Sequence, residues 1–363
     1  MDGRESPRDG GMEGLEMNKQ VVATGLLLSL FISFGVLAHH SRTTFFDMSQ
    51  TVELEGEITR VQWRHPHVRY WIQTDPEYGG AVWELETTPP SLLERQGISR
   101  EILAAGTRVR VAGPPSRLVE NAIEVSHVLL PDGREVLLHT GRAPLWTNRT
   151  VERAVQGFDE DVIKLAEATA NGIFRVWSRP EVGPDRPPFW LSSYPLTEPA
   201  QAVSTAWDPL SGMETGCKPK DMPVLMASNW PIEFVDEGNQ LRLLAEEFDQ
   251  ERIIHLGGSV SRVSPSPLGY SVGYWEQDDL VVATTYINSF DLGRKGIPLS
   301  ENVQTLERFS LSPDEGRLNY QIMITDPTIF TEPIVMTSHW IWRPGETIKP
   351  YNCIETPGSW TDR

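Results

Sequence analysis

Four of the eight histidines in this 363-residue chain crowd into one short stretch: His39, His40, His65 and His67. Imidazole is the commonest side-chain metal ligand, so the crowding raises a metal site. His39 follows Val36-Leu37-Ala38, at the end of an uncharged apolar run that begins at Val21 and is preceded by Lys19. That is the pattern of an export signal, and cleavage after Ala38 makes His39 the new N-terminus. A terminal histidine offers copper its α-amine and its ring Nδ1, and one further imidazole completes a T-shaped three-nitrogen site, a histidine brace. His67 is the expected partner, with His40 and His65 as further candidate ligands. In His65-Pro66-His67 the proline biases His65 toward extended backbone, and residues two apart on an extended segment point the same way. The plainer alternative is a strand end whose imidazoles cap backbone groups, with His40 part of a flexible end.

Composition narrows the setting. Residues 1–16 are polar, acidic and glycine-rich, unlike the basic start of a signal peptide, and translation is expected to begin at Met17. Residues 1–38 are therefore a leader that takes no part in the fold. A net charge of −18 argues against a nucleic-acid partner, which needs a basic surface to neutralise phosphate. The apolar run is near the short end of a spanning helix, so the expectation is a soluble periplasmic or secreted protein with no stable membrane insertion after cleavage. Its partner is then a small molecule or a metal ion. In an oxidising compartment the two cysteines, Cys217 and Cys353, are expected to form a disulfide. Closing a loop of that length stabilises by about 4–5 kcal/mol in the chain-entropy account.

The elements that must position these residues are mostly strands. Val52, Leu54 and Ile58 fall on one face, and the apolar register then slips to Val61 and Trp63, as a bulge in a long bending strand requires. Val68-Tyr70-Ile72 and Trp83-Leu85 follow as two more strands. A helical pattern runs from Leu92 to Leu103, then strands over Arg108 to Ala112 and Ile123 to Leu130. Three strands, a helix and two strands give an OB-like Greek-key barrel over residues 39–140. Ala38-His39-His40-Ser41, Trp63 with Pro66-His67, Trp83-Glu84-Leu85-Glu86, Leu93-x-Arg95-x-Gly97 and Pro131-Asp132-Gly133 resemble a bacterial secreted domain family of unknown function. The resemblance implies a mature chain that opens Ala-His-His-Ser and carries Trp-x-Asn-Pro-His. This chain has His65 where the family has asparagine, which leaves His39 and His67 as the ligands the family pattern shares.

Residues 141–215 read as a connecting segment, with helical stretches from Thr150 to Ala170 and from Pro195 to Ala206. From Pro231 eight strand-like segments alternate with short turns, which predicts an antiparallel β-barrel or curved meander over residues 216–363. The whole chain is thus mainly β. This block resembles a second secreted bacterial sequence type through Cys217-x-Pro219, Gly269-Tyr270-Ser271-Val272-Gly273-x-Trp275-Glu276 and Tyr351-Asn352-Cys353. The resemblance implies a cysteine near each end of the block.

A barrel of this size either fills with side chains or holds one apolar ligand. The residues expected to face its interior are Glu233, Arg252, His255, Tyr270, Trp275 and His339. Gly269-Tyr270-Ser271-Val272-Gly273 matches a nucleophile elbow, with Asp326 and His339 in esterase order, yet a turn and a strand follow Ser271 where an elbow needs a helix. Asp278-Asp279 and Glu246-Glu247 lack the loop spacing of a calcium site. Three functions remain: a copper-binding protein using the N-terminal histidines, a binder of or enzyme acting on a small apolar ligand in the barrel, and a structural envelope protein. Brace sites serve both copper carriers and oxidative enzymes such as lytic polysaccharide monooxygenases.

Overall fold

The long bent strand β1 (Val52–Gln62) organises the N-terminal half. The computed structural model describes residues 45–139, 141–151, 158–180, 189–208, 217–257, 263–293 and 296–354. β1 buries Leu54 and Ile58 inward, and its pairing shifts between Ile58 and Arg60, where the apolar pattern slips. Six further strands join it: β2 (Arg69–Thr74), β3 (Val82–Glu86), β4 (Arg108–Gly113), β5 (Ala122–Glu124), β6 (His127–Leu129) and β7 (Glu135–Leu137). The order across the sheet is β5-β3-β2-β1-β4-β6-β7.

β5 and β6 are two halves of one bent segment. The first half pairs in parallel with β3 and the second antiparallel with β4, so this segment reaches both sides of the sheet in the OB-like manner. Gly113 permits the crossing, because a Cβ there would stand 2.0 Å from the carbonyl oxygen of Glu124. Helix Pro90–Arg95 and the 3₁₀ turn Arg100–Leu103 fill the connection between β3 and β4. Leu93, Ile98 and Leu103 drop from this connection into the core beneath the sheet.

The second half is a closed barrel. All eight strands expected from the sequence are present, β9 (Ile232–Asp236), β10 (Gln240–Ala245), β11 (Gln250–Leu256), β12 (Tyr270–Glu276), β13 (Asp279–Thr285), β14 (Gln304–Leu311), β15 (Arg317–Thr325) and β16 (Ile334–Trp342). A ninth, β8 (Val176–Ser178), comes from the stretch read as connecting and slots between β16 and β9 to close the ring. Pairing is antiparallel throughout except between β11 and β12, which run parallel. Helices Glu160–Thr169 and Glu198–Ala206 lie within the two helical stretches expected.

The barrel interior is packed. Phe309 stacks among Phe234, Tyr320 and Trp340, with ring centroids 4.9 to 6.4 Å apart. Gly273 faces inward because a Cβ there would meet Ile254 at 2.7 Å. Amid this apolar filling sits one fully enclosed ion pair, Arg252 with Glu307. Arg252 also donates to Ser271 at 3.0 Å and to Thr284 at 2.8 Å, and Tyr320 donates to Glu307 at 2.9 Å. Burial alone would expel the charge from Arg252, and the Glu307 carboxylate reverses this and holds the guanidinium charged.

Sheet and barrel meet along a seam made by the last described segment of the chain. Arg95 at the end of its helix binds Glu246 of the barrel at 2.7 and 2.5 Å and Glu346 at 3.3 Å. Glu246 and Asp249 in turn accept backbone N–H groups from Lys349, Tyr351 and Asn352. The Cys217–Cys353 disulfide pins this segment to the barrel.

Breaking a buried ion pair from one side strands a charge, whereas removing both charges does not. Arg252→Met is therefore expected to cost about 3–5 kcal/mol in urea unfolding. Arg252→Met combined with Glu307→Leu should recover most of that loss. Additive losses in the double variant would show that the pair is not coupled.

Candidate metal centre

His67 lies just before β2, and its neighbours come from the face of the sheet that points away from the core. Tyr70, Leu85 and Ile123 face the core, so Arg69, Glu84, Glu86 and Glu124 project from the opposite side. Cross-strand register then aligns Arg69 with Glu86, and Glu86 with Glu124. Although this is not the core face, Arg69, Glu86 and Glu124 are all buried.

Hydrogen bonding assigns the imidazole protons. One oxygen of Glu86 stands 3.1 Å from His67 Nδ1, and the other accepts from Arg69 at 3.2 Å. A carboxylate beside a guanidinium only accepts, so His67 Nδ1 carries the proton and Nε2 the lone pair when the ring is neutral. Burial alone would lower the His67 pKa, but the Glu86 carboxylate, and Glu124 beyond it, raise it above the ordinary value of 6.5. The pair therefore stabilises the fold fully below pH 6.5, and that contribution fades as the pH rises through the raised pKa of His67.

His139 stands beside Glu124. The single Thr88 hydroxyl proton goes to the Leu138 carbonyl at 2.7 Å, so Thr88 Oγ1 accepts from His139 Nδ1 at 3.1 Å. His139 Nε2 faces Glu124 at 3.6 Å.

The other residues singled out in the sequence are dispersed. His39 and His40 lie outside the described residues. His65 does not point with His67: residues 65 and 66 form a bend, and the His65 ring packs on Tyr351 with centroids 3.8 Å apart. It is buried there, which pushes its pKa down to about 4, and the neighbouring His67 adds to the effect. The expectation that two residues spaced by one share a direction fails because the chain does not continue as a strand through Pro66.

Of the six residues expected inside the barrel, Arg252 alone is enclosed there, in its pair with Glu307. Strand alternation turns Glu233, His255, Tyr270 and His339 outward, because their cross-strand partners Leu244, Gln240, Thr285 and Asn319 lie on the outer surface. His255 stacks on Tyr270 at 4.7 Å on that outer face. Trp275 has inward register but stands at the rim, 41% exposed. Ser271, the serine of the elbow-like motif, is buried and bonded to Arg252 and Thr284. Asp326 is spent on Ser300 and Thr328, far in role from any triad. Glu246 and Glu247 bind Arg95 and Lys220, and Asp279 binds Arg308, so these acids have cationic partners.

Glu86, Glu124 and His139 are not among the site residues expected from the sequence. Their signal was present in Trp83-Glu84-Leu85-Glu86, where the carboxylates alternate with the core residues. Among the described residues, three carboxylates with oxygens within 4.8 Å of one another occur at Glu55, Asp75 and Glu77. Arg108 pairs with Asp75 and Arg110 approaches Glu55 at 3.8 Å, so a partly exposed charge lattice accounts for them.

Residues 28–122 match the family of unknown function DUF6152. That span takes in His39, His67 and Glu86 and ends before Glu124 and His139. No curated relative and no solved structure matches the chain. Among the described residues no helix is long and apolar enough to cross a membrane.

Glu86 lifts the His67 pKa more than Glu124 does, so Glu86→Gln should lower it, burial and Arg69 then being opposed by Glu124 alone. Proton NMR titration of the imidazole C–H signals reads this directly. An unchanged His67 pKa would mean that Glu86 is not its counter-ion.

Proposed function

We propose that this is an exported copper-binding protein in which the mature N-terminal residue, His39, forms a histidine brace with His67. The observation that carries this reading is the contact of 3.1 Å between Glu86 and His67 Nδ1. A ligating imidazole typically hands its second N–H to a carboxylate, which sets the tautomer and raises the basicity of the metal-facing nitrogen. Copper(II) takes nitrogen donors from imidazole and amine readily.

Chain reach supports the same reading. Phe45 is anchored where its carbonyl accepts from Arg117 at 2.7 Å, and Asp47 donates to Pro115 at 2.8 Å. Pro115 bridges to Ile123, the neighbour of Glu124. His39 precedes Phe45 by six residues, a span of at most about 20 Å when extended, so the α-amine is within covalent reach of this part of the sheet. His40 stays a further candidate ligand, whereas His65 is engaged with Tyr351.

A second reading, a small apolar ligand at the barrel, is favoured by one feature of its rim. Trp275 lies 6.1 Å from Phe174, and Arg175 sits 4.3 Å over the Trp342 ring, which leaves half-exposed aromatics beside a cation. With the interior packed, this reading uses the rim of the barrel.

Copper titration of protein beginning at His39, followed by electron paramagnetic resonance, tests the first reading. A one-to-one site with nitrogen coupling is expected, and it should be lost both in His67→Ala and when an extra residue precedes His39. Equal copper binding by the extended protein would refute the brace. Trp275→Ala should leave copper binding unchanged and weaken only apolar ligands.

A further inference from the structure

One wall of the barrel carries a line of apolar side chains that crosses five strands in register. Val272 of β12 stands opposite Ala283 of β13, Ala283 opposite Leu306 of β14, Leu306 opposite Met323 of β15, and Met323 opposite Val335 of β16. All five point outward, because the residues on either side of each, such as Thr305 and Glu307 beside Leu306, are buried. Leu306 is 39% and Val335 43% exposed, Ala283 is exposed, and Val272 and Met323 are half-buried. We propose that this wall is the contact face of a weak homodimer, with a second copy of the chain as its occupant.

Charge selects the occupant. The chain has a net charge of −18 with 23% of its residues charged, so two copies repel one another over most of their surfaces. The apolar line is an exception. Among the residues two places to either side of these five on their own strands, Arg308 alone carries a charge. Glu276 and Asp279 already hold it, Asp279 at 2.8 Å. A second copy can therefore approach here without setting unpaired charges against each other, and a basic or acidic partner finds nothing to bind.

The order of side chains along the line is self-complementary. A two-fold axis along β14 turns the line end for end, which sets Leu306 on its own mate and Val272 against Val335. The same operation lays Met323 of each copy over Ala283 of the other. A long, adaptable side chain then fills the space above a methyl group, and the contact is made twice. Interdigitation of this kind is how two sheet faces pack, about 10 Å apart.

The area sets the strength. The wall of a closed barrel curves away on both sides, so the contact centres on β13, β14 and β15. With strands about 4.8 Å apart and a rise of about 3.3 Å per residue, these strands and their flanking side chains offer about 500 Å² on each copy. The total of about 1,000 Å² is at the low end of specific interfaces, which fits a dimer that forms and dissociates with concentration.

Sedimentation velocity of the processed protein, from micromolar to near-millimolar concentration and at low and high salt, tests the face. The unaltered protein is expected to pass from monomer to dimer, and salt should tighten the dimer by screening the negative charge of both copies. Leu306→Glu sets two carboxylates against each other on the axis and should weaken association at least about a hundredfold. Val203→Glu, at an exposed apolar residue of helix Glu198–Ala206, should leave it unchanged, as should His67→Ala, because the face is separate from the copper reading. Leu306→Cys should give a crosslinked dimer on mild oxidation, since Cys217 and Cys353 are tied to each other. A monomer at every concentration overturns the proposal, and so does a dimer that Leu306→Glu leaves intact. A monomer that binds an apolar dye, and loses it in Leu306→Glu, would assign the wall to an apolar ligand instead. Should Leu306→Glu fail to fold, absence of the Leu306→Cys crosslink overturns the dimer on its own.

Discussion

A carboxylate or guanidinium taken out of water must keep a counter-charge or a full set of hydrogen-bond partners, and counter-charges meet this constraint at three places. Arg252 and Glu307 satisfy it inside the barrel, Arg95 with Glu246 and Glu346 at the seam, and Arg69 with Glu86 and His67 on the outer face of the sheet. The first two pairings join elements distant in sequence and set how those elements stand to one another, and the third fixes the register of the consecutive strands β2 and β3. A buried pair adds little net stability over an apolar replacement, but losing one member is costly, which makes it a strict constraint on register. Only the third of these groups includes an imidazole, a group that can exchange a proton for a metal ion.

The seam explains why the C-terminal segment is more than a tail. Its N–H groups at Lys349, Tyr351 and Asn352 saturate the carboxylates that also bind Arg95 or cap the Ala245–Gln250 corner. Tyr351 provides the surface on which His65 rests, and Trp230 donates to Ser91 at 3.2 Å across the same boundary. The disulfide at Cys353 ends this run, so the covalent bond and the ion pairs hold one strap from both sides. His65, two residues from His67, is thereby immobilised by the barrel, and the loop that presents His67 is held at its entry.

Much of this was legible before any coordinates. The alternation of apolar residues marked all eight of the expected barrel strands, because a barrel wall alternates core and solvent along every strand. The slip after Ile58 marked the bulge for the same reason. β8 was hidden because three residues are too few to show a period, and only the unsatisfied edges of β9 and β16 reveal the need for it. The inward set of the barrel was misread where chemistry was used in place of parity: His255 and Tyr270 looked functional, but their register turns them outward. At the His67 face, His67 was visible as a residue type and Glu86 through its alternation with Leu85, whereas Glu124 became visible only through strand pairing and His139 only through its contacts with Thr88 and Glu124.

The central claim is that copper sits against His67 with Glu86 behind it. Anomalous diffraction at the copper edge, from crystals of the processed protein grown with one equivalent of copper(II), tests it most directly. The account predicts a single peak on the Nε2 side of His67, with Nδ1 still on Glu86. A peak at Glu55, Asp75 and Glu77 instead, or none at the His67 face, would contradict it.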